Sequence, residues 1–438
     1  MKGISKFFFA ASLLMLFTQC DDDDNGGNMP EISPVSYTVT IENIMPEKMF
    51  FQSGVFNMPV GSSEAGPATP GNSFTFSFHA GLGSKLSFAT MYGASNDLFY
   101  APDGEGIELY ADDAPISGDI TNQIMLWDAG TEVNEEPGAG PNQPANGGPE
   151  VGEDENGTVQ TIDMINDGYS YPAVADNIKV MIANDGADMF TVTIENLSGS
   201  STPLAPGTFV VHTAPNPLFE EGQMAANGIE QLAEDGNPAM TGEFLEANTG
   251  YVSPLAPGVW VIHESGTMPL FEESAADFGE GLEGLAEDGT PADLLNSVQT
   301  KDGVRQSGIF NTPNGAGNPG PLLPGNTYSF TFDAEEGDYL SFATMLVETN
   351  DLFYAPMEMG IDLASISTTV ATDITSMVML WDAGTEVNEF PGAGISQPLR
   401  LNGGLDENGN VMEVDDAYDY PTVENAIRVT ITPSISEQ

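Results

Sequence analysis

The sequence predicts an all-β protein built of two tandem antiparallel β-sandwiches, and three observations lead there. Residues 37–41, 73–78 and 328–332 alternate β-branched and aromatic residues with polar ones, the pattern of strands buried on one face. Turn formers, 49 glycines and 31 prolines, punctuate such runs, and no amphipathic helix longer than three turns follows the N-terminal segment. A long stretch of the chain also occurs twice, so that one β design is used twice.

The N-terminal segment comes first. Residues 1–20 have a basic start (Lys2, Lys6), an apolar run over 7–17, and then Thr18-Gln19-Cys20 followed by Asp21 to Asp24. This is the pattern of a signal peptide, and the run is shorter than the ~20 residues a permanent membrane span needs. The single cysteine of the chain falls at the expected cleavage point, which makes Cys20 the expected lipidation site. The segment resembles a bacterial lipoprotein signal, and the acidic run after it is similar to the surface-export tag of Bacteroidetes lipoproteins. Residues 21–36 read as an acidic flexible tether. The expected location is the bacterial outer membrane or cell surface, lipid-anchored, with simple secretion as the alternative.

The repeat is laid out at a constant spacing. Residues 52–144 recur at 306–398: Asn96-Asp97-Leu98-Phe99-Tyr100-Ala101-Pro102 returns as Asn350 to Pro356, and Leu126 to Glu135 returns unchanged as Leu380 to Glu389. The flanks recur at other spacings, Thr38 to Asn43 as Thr191 to Asn196 and Tyr171-Pro172 as Tyr420-Pro421. Each copy is therefore expected to begin and end with a strand, giving domains at 37–184 and 190–432. The second carries an insert at 203–293, itself duplicated, with short helical turns at 228–232 and 281–285. The Gly/Pro-rich stretches 136–157 and 390–409 read as long loops.

Composition removes one class of partner. With 66 acidic residues against 9 basic ones, the chain repels phosphate backbones and anionic headgroups, so no nucleic acid is expected and membrane contact only through the lipid anchor. Divalent cations are attracted by the same field. Without a second cysteine, stability must come from cores and metal rather than from disulfides.

The blocks Ser95 to Pro102 and Leu126 to Glu132, with their second copies Thr349 to Pro356 and Leu380 to Glu386, resemble the spondin N-terminal domain, and most closely its bacterial branch. The resemblance implies C2-like eight-stranded sandwiches that bind Ca2+ at one loop end. It places Asp97, Asp128 and Glu132 as metal ligands in the first copy and Asp351, Asp382 and Glu386 in the second. Calcium takes six to eight oxygens in irregular geometry, so a few loop carboxylates completed by carbonyls and water suffice. The other reading of Asp97 and Asp128 is that they cap turns. This chain has Glu132 where the animal motif ends in Asp, and it lacks the animal disulfides.

Asp154 to Gly157 and Asp406 to Gly409 start like half an EF-hand loop but lack the later glutamate, and read as turns. His212 and His263 recur at matching positions and read as partly buried histidines with a hydrogen-bond partner rather than zinc ligands. Trp127, Trp260 and Trp381 read as core. No phosphate-binding loop, zinc-spaced set or cysteine nucleophile is visible, so no enzyme is expected. The expected function is calcium-dependent adhesion or matrix binding, with an extracellular protein or glycan as partner. The alternatives are a polysaccharide- or protein-binding module using the long Gly/Pro loops, and a passive structural envelope protein.

Overall fold

The computed structural model describes residues 35–146, 152–186 and 188–434. The signal segment, Cys20 and most of the tether lie outside them. Among the described residues no helix is long and apolar enough to cross a membrane.

The protein is all-β in its framework, with two sandwiches of antiparallel sheets. In the first, a broad sheet runs in the order Gln160–Thr161, Met125–Asp128, Leu98–Ala101, Lys85–Tyr92, Leu204–His212, Gln52–Phe56. It faces a smaller sheet ordered Ser73–His79, Met189–Asn196, Ile178–Gly186, Gly118–Asp119. The alternating sequence is realised as alternating burial: Phe74, Phe76 and Phe78 point inward while Thr75 and Ser77 stay outside. These rings pack with Phe56, Phe88, Phe190 and Phe209 into one core, each contributing about 1.5–3 kcal/mol by burial.

A second core lies on the far side of the broad sheet. There Phe99, Trp127, Val210 and Phe219 pack against the short helix Ile229–Asp235 and against Leu245 of the helix Ala239–Asn248. Strand Lys85–Tyr92 is buried on both faces for this reason. The helical turn expected at 228–232 is thus the start of a helical layer. Trp127 and Trp381 are core residues, and the half-buried Trp260 stacks on Phe330 at 5.3 Å.

The sharing of strands differs from the expected partition. The opening strand, Val35–Asn43, lies in the second sandwich, between Thr327–Ala334 and Ile427–Pro433. Its sequence twin, Met189–Asn196, completes the first sandwich, because the turn linking it to Ile178–Gly186 is too short to do anything but close a hairpin. The boundary drawn between residues 184 and 190 therefore cuts a hairpin.

The duplicated insert is not an addition to the second domain either. Its first copy supplies Leu204–His212 and two helices to the first sandwich, and its second supplies Leu255–Glu264, Leu282–Asp288 and Ala292–Val298 to the second. The first sandwich thus spans 52–248, and the second spans 255–433 closed by the N-terminal strand. Buried asparagines mark the equivalence. Asn196 Nδ2 donates to the Ala68 and Thr202 carbonyls, and Asn43 Nδ2 donates to those of Leu322 and Ser253.

Candidate metal centre

At one end of each sandwich, two strands bring two aspartates together. Asp97 stands just before strand Leu98–Ala101, and Asp128 ends the neighbouring strand Met125–Asp128, the two facing in register as Leu98 opposite Asp128. The chain then turns sharply at Gly130, whose φ of +66° suits glycine. The turn aims backbone N–H groups at the carboxylates. Asp97 Oδ2 accepts from the N–H groups of Thr131 and Glu132, both at 3.0 Å, and Asp128 Oδ1 accepts from Gly130 at 2.6 Å. The second copy repeats each contact: Asp351 Oδ2 from Thr385 at 2.8 Å and Glu386 at 3.0 Å, Asp382 Oδ1 from Gly384 at 2.7 Å.

The arrangement is electrostatically incomplete. Asp97 and Asp351 are fully buried, and in both the Oδ1 atom has no hydrogen-bond partner. Burial, then the charge of Asp128, pushes the Asp97 carboxyl well above the usual carboxylate range. The same two causes, with Asp382 as the neighbour, push Asp351 up to about 7. Buried polar atoms are nearly always partnered, so the same orphan oxygen in two copies, each beside a second carboxylate, fits a cation.

The remaining expected ligands are placed differently. The side chain of Glu132 accepts the N–H of Gly152, and that of Glu386 accepts the N–H of Gly404, while the charge of Glu132 still adds to the upward push on Asp97. Each hydrogen bond ties a glycine of the long Gly/Pro stretch, Gly152 or Gly404, to the residue that follows the Asp-Ala-Gly-Thr turn. Among the described residues no set of three or more Asp, Glu, His or Cys converges as a metal-holding group. A cation here would be held by two aspartates, with carbonyls and water completing the shell.

Two further acids sense the site. Asp128 is raised first by burial and also by Asp167, while Glu155 is raised first by burial and then by Asp128. Glu407 and Asp416 act likewise on Asp382. Asp167 accepts the phenol of Tyr171, and Asp416 that of Tyr420 at 2.7 Å. The sequence signal was an Asp four residues before each Tyr-Pro pair. The half-EF-hand segments prove to be straps: Glu155 and Gly157 donate backbone N–H groups to the carbonyls of Thr131 and Gly130.

The histidines sit elsewhere, paired across strands. His212 Nδ1 donates to the Ala214 carbonyl at 2.7 Å and its Nε2 meets the Ser87 hydroxyl at 2.9 Å. His263 repeats this with the Glu264 carbonyl and Ser341. Both rings are buried, and burial lowers both pKa values.

No family model matches the chain, and no curated protein matches it.

Proposed function

We propose that this chain is a lipid-anchored, calcium-binding surface protein of the spondin type, acting in adhesion or matrix binding. One observation carries the reading. In each sandwich a fully buried aspartate keeps one oxygen without a partner beside a second aspartate, at a loop end held by backbone N–H groups. Asp97 and Asp128 would hold the ion in the first sandwich, Asp351 and Asp382 in the second. Bound Ca2+ would supply the positive charge that each pair lacks, and the loops around it would present ligand contacts.

Calorimetric titration of the secreted chain with calcium tests this. Two sites that vanish in the double variant Asp128→Asn, Asp382→Asn are expected. An absence of saturable binding removes calcium from the reading.

A groove favours a second reading, in which an extracellular glycan or protein is bound without metal. About 680 Å³ in volume, it runs beside the first loop end and is lined by Met125, Ile165, Tyr169, Tyr171 and Pro172. Tyr169 is 41% exposed and offers a ring for stacking. Binding of a ligand that survives chelation and is lost in Tyr169→Ala would select this reading.

A further inference from the structure

The two loop ends share a design but not their surroundings. The loop end of the second sandwich is packed against the opposite end of the first. Phe390, in the long loop after Glu389, stacks on His79 of the first sandwich with ring centroids 3.7 Å apart, and meets Phe51 edge-on at 6.3 Å. Arg400, later in the same loop, reaches Glu348 at 2.8 Å, and its guanidinium packs against Gly81, where an added Cβ would lie 2.2 Å from Nε.

The first copy has other residues at these positions: Glu136 for Phe390, Asn146 for Arg400 and Ala94 for Glu348. Ile395, Ser396 and Leu399 also differ from Pro141, Asn142 and Ala145, but it is Phe390, Arg400 and Glu348 that make the contacts of the joint.

The joint is wired to the aspartates. Asn350, next to Asp351, accepts the Glu389 N–H at 3.0 Å through Oδ1 and donates through Nδ2 to Glu386 at 3.2 Å. Glu386 has its own N–H on Asp351, and Glu389 directly precedes Phe390. Glu348 accepts the Gly392 N–H on its carbonyl and the Arg400 guanidinium on its side chain. One short run, residues 348–351, thus carries both the buried carboxylate and the anchor of the joint loop.

We propose that the cation site of the second sandwich is a joint site: a divalent cation at Asp351 and Asp382 orders the loop 386–400 and so fixes the first sandwich upon the second. The site of the first sandwich carries no such load and is left to face outside ligands. This rests on the calcium reading above.

The test uses the full chain with Cys20→Ser, spin labels at Thr75→Cys and Thr331→Cys on exposed outer faces of the two sandwiches, and calorimetry on the same samples. With calcium the inter-label distance distribution is expected to narrow relative to chelator. Asp382→Asn should abolish the narrowing, and Asp128→Asn should preserve it. The pair Phe390→Glu with Arg400→Asn, which installs the residues of the first copy, should keep both calcium sites and yet stay broad.

Calcium uptake at both sites with an unchanged distribution overturns the joint role and leaves the calcium reading standing. Equal loss of narrowing in Asp128→Asn, or a narrow distribution in the Phe390→Glu, Arg400→Asn chain, also overturns it. No calcium uptake at all removes both.

Discussion

Glu42 and Arg428, near opposite ends of the chain, form an ion pair at 3.0 Å across two adjacent strands of the second sandwich. The contact reports that the N-terminal strand closes the sandwich that the C-terminal strand ends. The pair itself is a marker more than a support, since Arg428 is 52% exposed and exposed pairs contribute about 0–1 kcal/mol. Beneath it Val39 and Ile41 are completely buried. Arg428→Ala should therefore change stability by less than about 1 kcal/mol, whereas Ile41→Ala should cost about 2–5 kcal/mol. The loss should appear as faster hydrogen exchange in residues 327–334 and 427–433, the neighbours of that strand. Faster exchange in residues 73–79 instead would refute the strand assignment.

Much of this was legible in the sequence. Residues 37–41 and 73–78 alternate in sequence and alternate in burial, because in a strand packed on one face those are the same fact. What the pattern could not show is which sandwich a strand joins. Residues 38–43 and 191–196 are the same six residues, so only the short turn before Met189 tells them apart. The helix Ala239–Asn248 was invisible for another reason: only Thr241 and Leu245 of it are buried, so its apolar face is too thin to read. Glu132 reads as a ligand from its place in the motif, and the structure gives its carboxylate the N–H of Gly152 as a partner. Asp97 and Asp128 stand out as a pair in the sequence motif, whereas the buried, unpartnered Oδ1 of Asp97, and of Asp351 in the second copy, needed the geometry.

The burial of Asp351 beside Asp382 has a sign in pH. Burial, then the charge of Asp382, pushes the Asp351 carboxyl up to about 7 in the folded chain from an ordinary value of 3.8. Between those values the folded chain holds a proton that the unfolded chain releases, so this group adds stability as pH falls through about 7 toward about 4. In chelator, Asp351→Asn should be more stable than the parent at pH 8, with the advantage gone near pH 4. The rise in melting temperature on adding calcium should be reduced. Melting curves in chelator and in calcium at both pH values check it, and a variant less stable than the parent in chelator at pH 8 would contradict the account.

Gly130 and Gly384 support the same site through backbone shape. Each holds a positive φ, +66° and +67°. A Cβ on Gly130 would lie 2.6 Å from the Thr158 nitrogen, and one on Gly384 2.7 Å from the Asn410 carbonyl oxygen. The obstacle in both cases is backbone, which cannot rotate aside. Gly130→Ala should destabilise by about 1–3 kcal/mol and weaken cation binding in the first sandwich only. Denaturant melts with calorimetry separate the two effects, and unaltered stability would mean that the turn is looser than its geometry.

The histidines make the opposite pH prediction. Burial lowers the pKa of both His212 and His263 below the ordinary 6.5. Below 6.5 the unfolded chain takes up protons that the folded chain refuses, so their contribution to stability is complete above 6.5 and is lost as pH falls toward their folded values. The loss comes from burial, which disfavours a charged ring at either position. The double variant His212→Gln, His263→Gln should be less stable than the parent at pH 7.5, because two buried hydrogen-bonded rings are removed, but should lose less on going to pH 5. Because the aspartates are common to both proteins, the difference between parent and variant isolates the histidine effect. Denaturant midpoints at pH 7.5 and 5.0 measure it, and parallel pH profiles would show that the rings do not titrate with unfolding.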